Sequence, residues 1–182
     1  MVFPDSSAIS VLTEITKRFP VEAWSRIVNY LGPPTTSHSF WIERWLKGND
    51  YFKDIGALAF IPAEVVWSWV DINSGIRAPY LASFIPKTPF SMTGKICPRE
   101  LLVRYGSDEE VRRQLTMNLN TGMISESEEQ KRERFVKLRS QEENSHVRRW
   151  MDEYIGLSER FGKFLRRLDE REYPEQSEPE SL

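Results

Sequence analysis

Apolar residues recur along this chain at intervals of three and four positions, which is the spacing of one face of an α-helix. The stretch SAISVLTEITKRF follows the capping candidates Asp5 and Ser6 and stops at Pro20, which can itself open a helix. The apolar faces of this segment and the next are Ile9, Leu12, Ile15 and Thr16, then Trp24, Ile27, Val28 and Leu31. This pattern predicts that the chain begins with a pair of helices.

The segment IPAEVVWSWVDINSGIRAPYLASFIP repeats the pattern on both sides of a polar turn at residues 73–75. Its two apolar faces are Val65, Val66, Trp69 and Val70 before the turn, and Ile76, Tyr80, Leu81, Phe84 and Ile85 after it. Pro79 fits the first turn of the second helix, where a missing N–H is tolerated. We predict two amphipathic helices that face each other. A shorter helix ending near Gly48 precedes them, and its apolar residues are Trp41, Ile42, Trp45 and Leu46.

Two Ser-x-x-Glu patterns mark helix starts in the second half of the chain, at Ser107 with Glu110 and at Ser125 with Glu128. The first pattern follows a short predicted helix, PRELLVRYG, and opens a helix with the apolar line Val111, Leu115 and Leu119. The second opens a highly charged helix that carries Phe135, Val136 and Leu138.

The last predicted helix, from about residue 144 to 171, has the most regular pattern. Its apolar residues follow a heptad spacing: Val147, Trp150, Tyr154, Leu157, Phe161, Phe164 and Leu168. A seam of this length predicts a long packing partner. The residues after it, 173–182, are polar and acidic and include proline, so we predict a disordered acidic tail.

Together these segments predict an all-α protein in which residues 1–172 form one helical-repeat domain. The favoured architecture is an α-solenoid-like stack of helix pairs of the HEAT type, in which each pair buries its apolar face against its neighbours. An irregular helical bundle is the alternative.

Three stretches, WSWVDINSGIRAPYLASFIP, CPRELLVRYGSDEEVRRQL and ENSHVRRWMDEYIGLSERF, resemble a HEAT- or armadillo-like helical-repeat region. Regions of that kind form C-terminal parts of large bacterial proteins, including STAND-type NTPases with defence or signalling roles. The resemblance covers about residues 60–172 and implies a non-catalytic region, or a free-standing relative of one, in a larger assembly. The chain has no Gly-rich phosphate loop with its Lys and Ser/Thr, so the resemblance implies no NTPase activity.

Composition narrows the class of protein. Of 182 residues, 40% are hydrophobic and 29% are charged, which is the balance of a folded globular protein. A single cysteine, no N-terminal signal region and no apolar run of roughly 20 residues predict a cytoplasmic protein with no membrane partner. The net charge of −2 hides a second half with nearly equal numbers of both signs, which gives no single-sign field to attract nucleic acid.

Residues with catalytic or metal-binding chemistry form no strong motif. Cys97 is a formal partner for His38 or His146 as nucleophile and base, but a buried thiol and capping or surface histidines are the simpler interpretation. No second His or Cys stands at metal-ligand spacing. Carboxylates at 108–110 and 128–129 fall in first helical turns, where the helix dipole explains them. We predict no enzyme activity, no metal and no cofactor.

Protein binding is the function that the sequence favours. Trp67 lies off the apolar stripe of its helix, so it is either an exposed anchor for a protein partner or packed against an adjacent repeat. Further candidates for partner binding are Arg112, Arg113, Arg148 and Arg149. We predict a scaffold or protein–protein interaction module. The alternative is a nucleic-acid-binding helical scaffold, in which the four arginines form a basic ridge clear of carboxylates.

Overall fold

The computed structural model describes residues 6–31, 42–43, 45–49, 54–85, 95–120 and 128–172. Almost all regular secondary structure in these ranges is helical, which confirms the all-α prediction. The chain divides into two compact units, Met1–Gly122 and Met123–Leu182. A single repeat domain over residues 1–172 stays a prediction. His38, Trp41, Ser125 and the tail 173–182 lie outside the described residues.

The helices of the first unit that have defined bounds are α1 (Ser6–Arg18), α2 (Pro20–Ile27), α3 (Ala63–Asp71), α4 (Ser74–Phe84), α5 (Pro98–Tyr105) and α6 (Glu109–Asn120). Residues 42–43 and 45–47 are also helical. A two-residue antiparallel pair joins β1 (Gly48–Asn49) to β2 (Asp54–Ile55), and a 3-10 helix follows at Ala57–Phe60. This strand pair is too short to produce the period-two pattern by which strands are recognised in a sequence.

Helices α3 and α4 contact each other, as the sequence predicts. Two details of the prediction are wrong. Ile76 is exposed because it lies in the first turn of α4, beside the exposed residues Asn73 and Ser74. Pro79 lies in the interior of α4 instead of its first turn. The carbonyl that Pro79 leaves without a helical donor belongs to the exposed Gly75, where water can replace the missing bond and limit the cost.

The core of the first unit lies around α4, which contacts α3, α5 and α6. The aliphatic side chains of these helices that have no exposed surface are Val66, Val70, Leu81, Leu101, Leu102, Val111 and Leu115. Each side chain of this size contributes roughly 1.5–3 kcal/mol when it is fully buried, so the cluster is a large source of stability.

The ends of α6 are held by polar side chains. Asp108 caps its first turn, because a carboxylate oxygen accepts a hydrogen bond from the Glu110 amide at 2.8 Å. The predicted pairing of Ser107 with Glu110 is therefore wrong: α6 begins at Glu109, so Asp108 occupies the capping position. Near the other end, the buried Asn118 amide donates to the carbonyls of Ala82 and Ile85 at 3.1 and 3.0 Å. These bonds satisfy carbonyls at the C-terminus of α4 that lack helical partners.

The second unit contains α7 (Glu128–Gln141) and α8 (Ser145–Glu172), which contact each other. Asn144 caps α8, since its side-chain oxygen accepts from the backbone amides of His146 and Val147 at 3.0 and 3.1 Å. Residues Val147, Trp150 and Tyr154 of the predicted seam are buried, whereas Leu157 is exposed.

Helix α7 is the packing partner for the first part of this seam. The Phe135 ring lies 5.7 Å from the ring of Trp150 and 4.5 Å from that of Tyr154, between centroids. Two ion pairs flank this aromatic cluster, Arg139 with Asp152 at 2.9 Å and Arg132 with Glu159 at 2.8 Å. The apolar residues in the first part of α8 therefore pack against an aromatic ring of α7, within the same unit.

Candidate functional site

Helix α1 buries its threonine side and leaves most of its apolar side exposed. Thr16 has no exposed surface and Thr13 is half-buried. In contrast, Val11 is 59% exposed, Leu12 is 43% exposed and Ile15 is 46% exposed. The predicted inward face of Ile9, Leu12, Ile15 and Thr16 is therefore only partly correct, because the helix is turned about its axis toward the threonines.

The threonines on the inner side of α1 are compatible with burial because their hydroxyl groups are bonded. Thr13 donates to the carbonyl of Ile9 and Thr16 donates to the carbonyl of Leu12, each at 2.9 Å. The Trp45 indole N–H then donates to the Thr13 hydroxyl at 3.2 Å. Hydrogen bonds of this kind remove most of the cost of burying a hydroxyl group.

The exposed apolar residues of α1 form one continuous stripe. Phe19, which is 56% exposed, keeps the helical hydrogen bond from its amide to the Ile15 carbonyl at 2.9 Å. Val11, Ile15 and Phe19 are therefore one helical turn apart on the same side. We define the α1 face as Val11, Leu12, Ile15 and Phe19.

Charged side chains border the α1 face. Glu14 forms an exposed ion pair with Lys17 at 2.6 Å, and this hydrogen bond lowers the pKa of the Glu14 carboxyl. The Lys17 ammonium also lies 5.1 Å from the centroid of the Phe60 ring on the 3-10 helix, which packs against α1. Because Glu14 is ionised, the border of the stripe carries a negative charge one turn before the positive charge of Arg18.

Trp67, a predicted anchor for a partner, is buried in the first unit. Its side chain is 4% exposed, and its indole N–H donates to the Lys95 carbonyl at 3.1 Å. The Arg104 guanidinium lies 5.0 Å from the Trp67 ring centroid, and the Tyr105 ring lies 6.3 Å away. This burial contradicts an exposed anchor, because α5 covers the side of α3 that lies off the main apolar stripe.

The four candidate arginines do not form the predicted exposed ridge. Arg112 is 2% exposed, and its guanidinium donates to the carbonyls of Gly106 and Ser107 at 2.8 and 3.1 Å. Arg113 is exposed and binds the Glu110 carboxylate at 2.7 and 2.6 Å. Arg112 and Arg113 belong to the first unit, whereas Arg148 and Arg149 belong to the second unit.

Arg149 also binds a carboxylate, that of Glu153, at 3.1 Å, and Arg148 is exposed. The prediction that these arginines lie clear of carboxylates is therefore wrong for Arg113 and Arg149. The prediction that they are exposed is wrong for Arg112. The physical reason is the interleaving of acidic residues at helical spacing, which favours ion pairs on the helix surface.

The candidate nucleophile Cys97 has a structural position at the start of α5. It is buried, and its sulfur accepts a hydrogen bond from the Glu100 amide at 3.4 Å. Burial raises the pKa of the Cys97 thiol, so the reactive thiolate is disfavoured at neutral pH. Among the described residues, no three His, Cys, Asp or Glu side chains are grouped to hold a metal ion.

A half-buried polar cluster connects residues 42–47 to α4 and α6. The Tyr80 hydroxyl donates to the Glu43 carboxylate at 2.8 Å, and the Lys47 ammonium donates to the Asn118 side-chain oxygen at 3.0 Å. Burial raises the pKa of the Glu43 carboxyl, although the hydrogen bond from Tyr80 opposes this effect. The cluster pairs its own polar groups and so stabilises the packing of these segments.

No family model, curated protein or solved structure matches this chain. The resemblance to bacterial helical-repeat regions therefore stays a prediction. In the part of the chain that the structure describes, no helix is both long enough and apolar enough to cross a membrane.

Sequence reasoning missed the α1 face because it assigned Leu12 and Ile15 to the core. A signal was present in the sequence. The apolar residues of α1 and Phe19 span an arc wider than one packed stripe, and Thr13 and Thr16 form a second face beside them. Threonines can bond back to the carbonyl one turn earlier, so this second face is also suited to packing.

Proposed function

We propose that this protein is a non-catalytic interaction module that binds an amphipathic partner helix at the α1 face. The observation that carries the proposal is the exposure of Val11, Leu12, Ile15 and Phe19, which is 43–59% for each side chain. Amphipathic helices usually turn such a stripe toward a core, and contiguous exposed apolar residues mark interaction sites.

The shape of the α1 face favours a helical partner. Its side chains repeat at intervals of one helical turn, so they form a ridge that fits a groove between side chains on another helix. Helix-binding surfaces recognise apolar anchors at the same spacing. The expected partner therefore presents an aliphatic or aromatic stripe with charged residues along its border.

The rest of the chain serves as the scaffold in this proposal. Consecutive helices contact each other as α1 with α2, α3 with α4, α5 with α6 and α7 with α8, which supports a solenoid-like stack of helix pairs of the HEAT type. The resemblance in the sequence is the support for a place in a bacterial defence or signalling assembly, and composition is the support for a cytoplasmic location.

Site-specific photo-crosslinking tests the proposal. Cys97 is buried, so an introduced Ile15→Cys is the selective target for a maleimide that carries a benzophenone group. We expect irradiation in native extract to give a discrete adduct, whose linked peptide maps to an amphipathic helix. The matched control is Ser68→Cys at an exposed position of α3.

The Leu12→Asp substitution in the Ile15→Cys background completes the test. It places a charge on the α1 face without disturbing the core, so the adduct should disappear while the helical content stays the same. Equal labelling from Ser68→Cys and Ile15→Cys, or an adduct that survives Leu12→Asp, would contradict the proposed function.

A further inference from the structure

We infer that Trp45 is the positioning residue of the α1 face, because its hydrogen bond to Thr13 fixes which side of α1 is turned outward. This inference rests on the proposed function and names the residue that presents the stripe to a partner. It is carried by the geometry of one hydrogen bond and by the contacts that hold the donor of that bond in place.

The position of Thr13 on α1 determines where the stripe points. Successive residues of an α-helix are rotated by about 100°, so residues two positions apart lie on nearly opposite sides. Val11 and Ile15 are each two positions from Thr13, and both are exposed, whereas Thr13 is half-buried. A bond that holds Thr13 inward therefore holds Val11 and Ile15 outward.

Hydrophobic burial alone would favour the opposite orientation of α1. The exposed side carries the larger apolar side chains Val11, Leu12 and Ile15, while the inward side carries the two threonines Thr13 and Thr16. The hydrophobic effect is non-directional and scales with apolar area, so it favours turning the larger apolar side toward the core. A directional polar contact is needed to select the observed orientation.

The hydrogen bond from Trp45 is directional in this sense. The Thr13 hydroxyl uses its own proton in the 2.9 Å bond to the Ile9 carbonyl, so its oxygen is left to act as an acceptor. The Trp45 indole N–H can only donate, and it reaches this oxygen at 3.2 Å. The apolar side chains of the stripe offer no acceptor, so turning them inward would take the bond away from a half-buried donor, which is unfavourable.

Trp45 is held in place by the core of the first unit. The next residue, Leu46, has no exposed surface, and the Lys47 ammonium donates to the Asn118 side-chain oxygen at 3.0 Å. Asn118 in turn donates to two carbonyls at the end of α4. The position of Trp45 is therefore set by α4 and α6, and its bond to Thr13 extends that constraint to α1.

A second contact of α1 is less selective for its orientation. Lys17 is exposed, and its ammonium lies 5.1 Å from the centroid of the Phe60 ring. Because a lysine side chain is a long and flexible stem, it can keep such a contact over a range of helix rotations. The bond from the rigid indole of Trp45 allows no such range.

Thiol protection on the inward side of α1 tests the inference. Thr16 has no exposed surface, so a Thr16→Cys thiol should react slowly with maleimide, at a rate set by how often α1 leaves its position. In this background, Trp45→Phe removes the N–H and keeps an aromatic ring, and it should raise the rate about tenfold. The buried native thiol of Cys97, at the start of α5, is the internal control, and its rate should not change. Equal acceleration of both thiols would indicate general destabilisation and overturn the positioning role.

Substitutions of Thr13 separate the hydrogen bond from the packing of the indole ring. Thr13→Val has nearly the same shape but no acceptor, so it should also raise the Thr16→Cys rate about tenfold, whereas Thr13→Ser keeps the hydroxyl and should stay within about twofold. Trp45→Phe combined with Thr13→Val should react no faster than either single variant, because both substitutions remove the same bond. Multiplied effects in the combined variant would overturn the inference.

The inference and the proposed function fail separately, because thiol protection needs no partner. Protection that depends on Trp45 as expected, without any site-specific adduct at Ile15→Cys, would overturn the interaction module and leave the orientation of α1 assigned to Trp45. A specific adduct, together with a Thr16→Cys rate that Trp45→Phe does not change, would overturn the inference and leave the interaction module standing.

Discussion

Helices α1 and α8 carry similar apolar stripes but place them in opposite environments. In α8 the residues Val147, Trp150 and Tyr154 are buried, whereas in α1 the residues Val11 and Ile15 are exposed. The difference comes from the neighbours. Helix α7 offers Phe135 to the stripe of α8, while the neighbours of α1 contact its threonine side. Apolar periodicity therefore identifies a face that needs a partner without saying where the partner comes from.

The largest contrast is expected for a matched pair of phenylalanines. Phe135→Ala removes a buried ring from the cluster with Trp150 and Tyr154, so it should lower the free energy of unfolding by about 3–5 kcal/mol. Phe19→Ala removes an exposed ring and should cost less than about 1 kcal/mol. Urea unfolding followed by circular dichroism measures both, and hydrogen exchange in α8 locates the loss. Equal losses would break the contrast between α1 and α8.

A neighbouring pair of arginines extends the contrast to charged side chains. Arg112→Ala should lower the free energy of unfolding by about 2–3 kcal/mol, because the carbonyls of Gly106 and Ser107 lose a buried charged donor. Arg113→Ala should leave stability unchanged within error, since its ion pair with Glu110 is exposed to water. The same unfolding assay distinguishes them. A larger effect for Arg113 would show that exposure is a poor guide to these arginines.

A matched pair of valines sharpens the comparison with the smallest change in shape. Val147→Ala deletes two buried methyl groups from α8 and should cost about 1–2 kcal/mol. Val11→Ala makes the same deletion on the exposed stripe of α1 and should change stability by less than about 0.5 kcal/mol. If Val11→Ala also weakens the photo-adduct formed at Ile15→Cys, the two valines differ in role as well as in burial. A stability loss at Val11 that equals the loss at Val147 would place the α1 face in the core.

The sequence predicted the second unit better than it predicted α1. The heptad spacing was sufficient to predict a helix from about residue 144, because a seam of this kind acts within one helix; the structure adds that Asn144 caps it. The orientation of α1 depends instead on Trp45, which comes from a distant segment and bonds to Thr13. The spacing of residues within α1 shows two faces that are suited to packing, but only contacts of that kind decide which of the two is buried.

Dependence on residues from another helix also explains why the exposed positions predicted for Trp67 and Arg112 are wrong. Trp67 lies off the main stripe of α3, and only the packing of Arg104 and Tyr105 from α5 shows that this side is also covered. Arg112 stands in a run of charges that is typical of an exposed surface, yet it turns inward to the end of α5. In both cases the deciding partners belong to another helix.

The pKa of Tyr105 gives a prediction that is measured by titration in alkaline solution. Burial, together with the hydrogen bond to Asp71, raises the pKa of Tyr105 to about 12 from its ordinary value of 10.0. The folded protein then holds this proton more tightly than the unfolded chain, so the contribution to stability is complete below pH 10 and is lost as the pH rises toward 12. Ultraviolet titration of the phenolates should include a late transition near pH 12 whose amplitude falls in Tyr105→Phe. Tyr30→Phe, at an exposed tyrosine of the first unit, should leave that late transition in place.

Asp71→Asn removes the negative charge and should lower the pKa of Tyr105, but burial should keep it above 10, since burial is the larger cause. Loss of the late transition in Asp71→Asn would instead make the carboxylate the dominant cause.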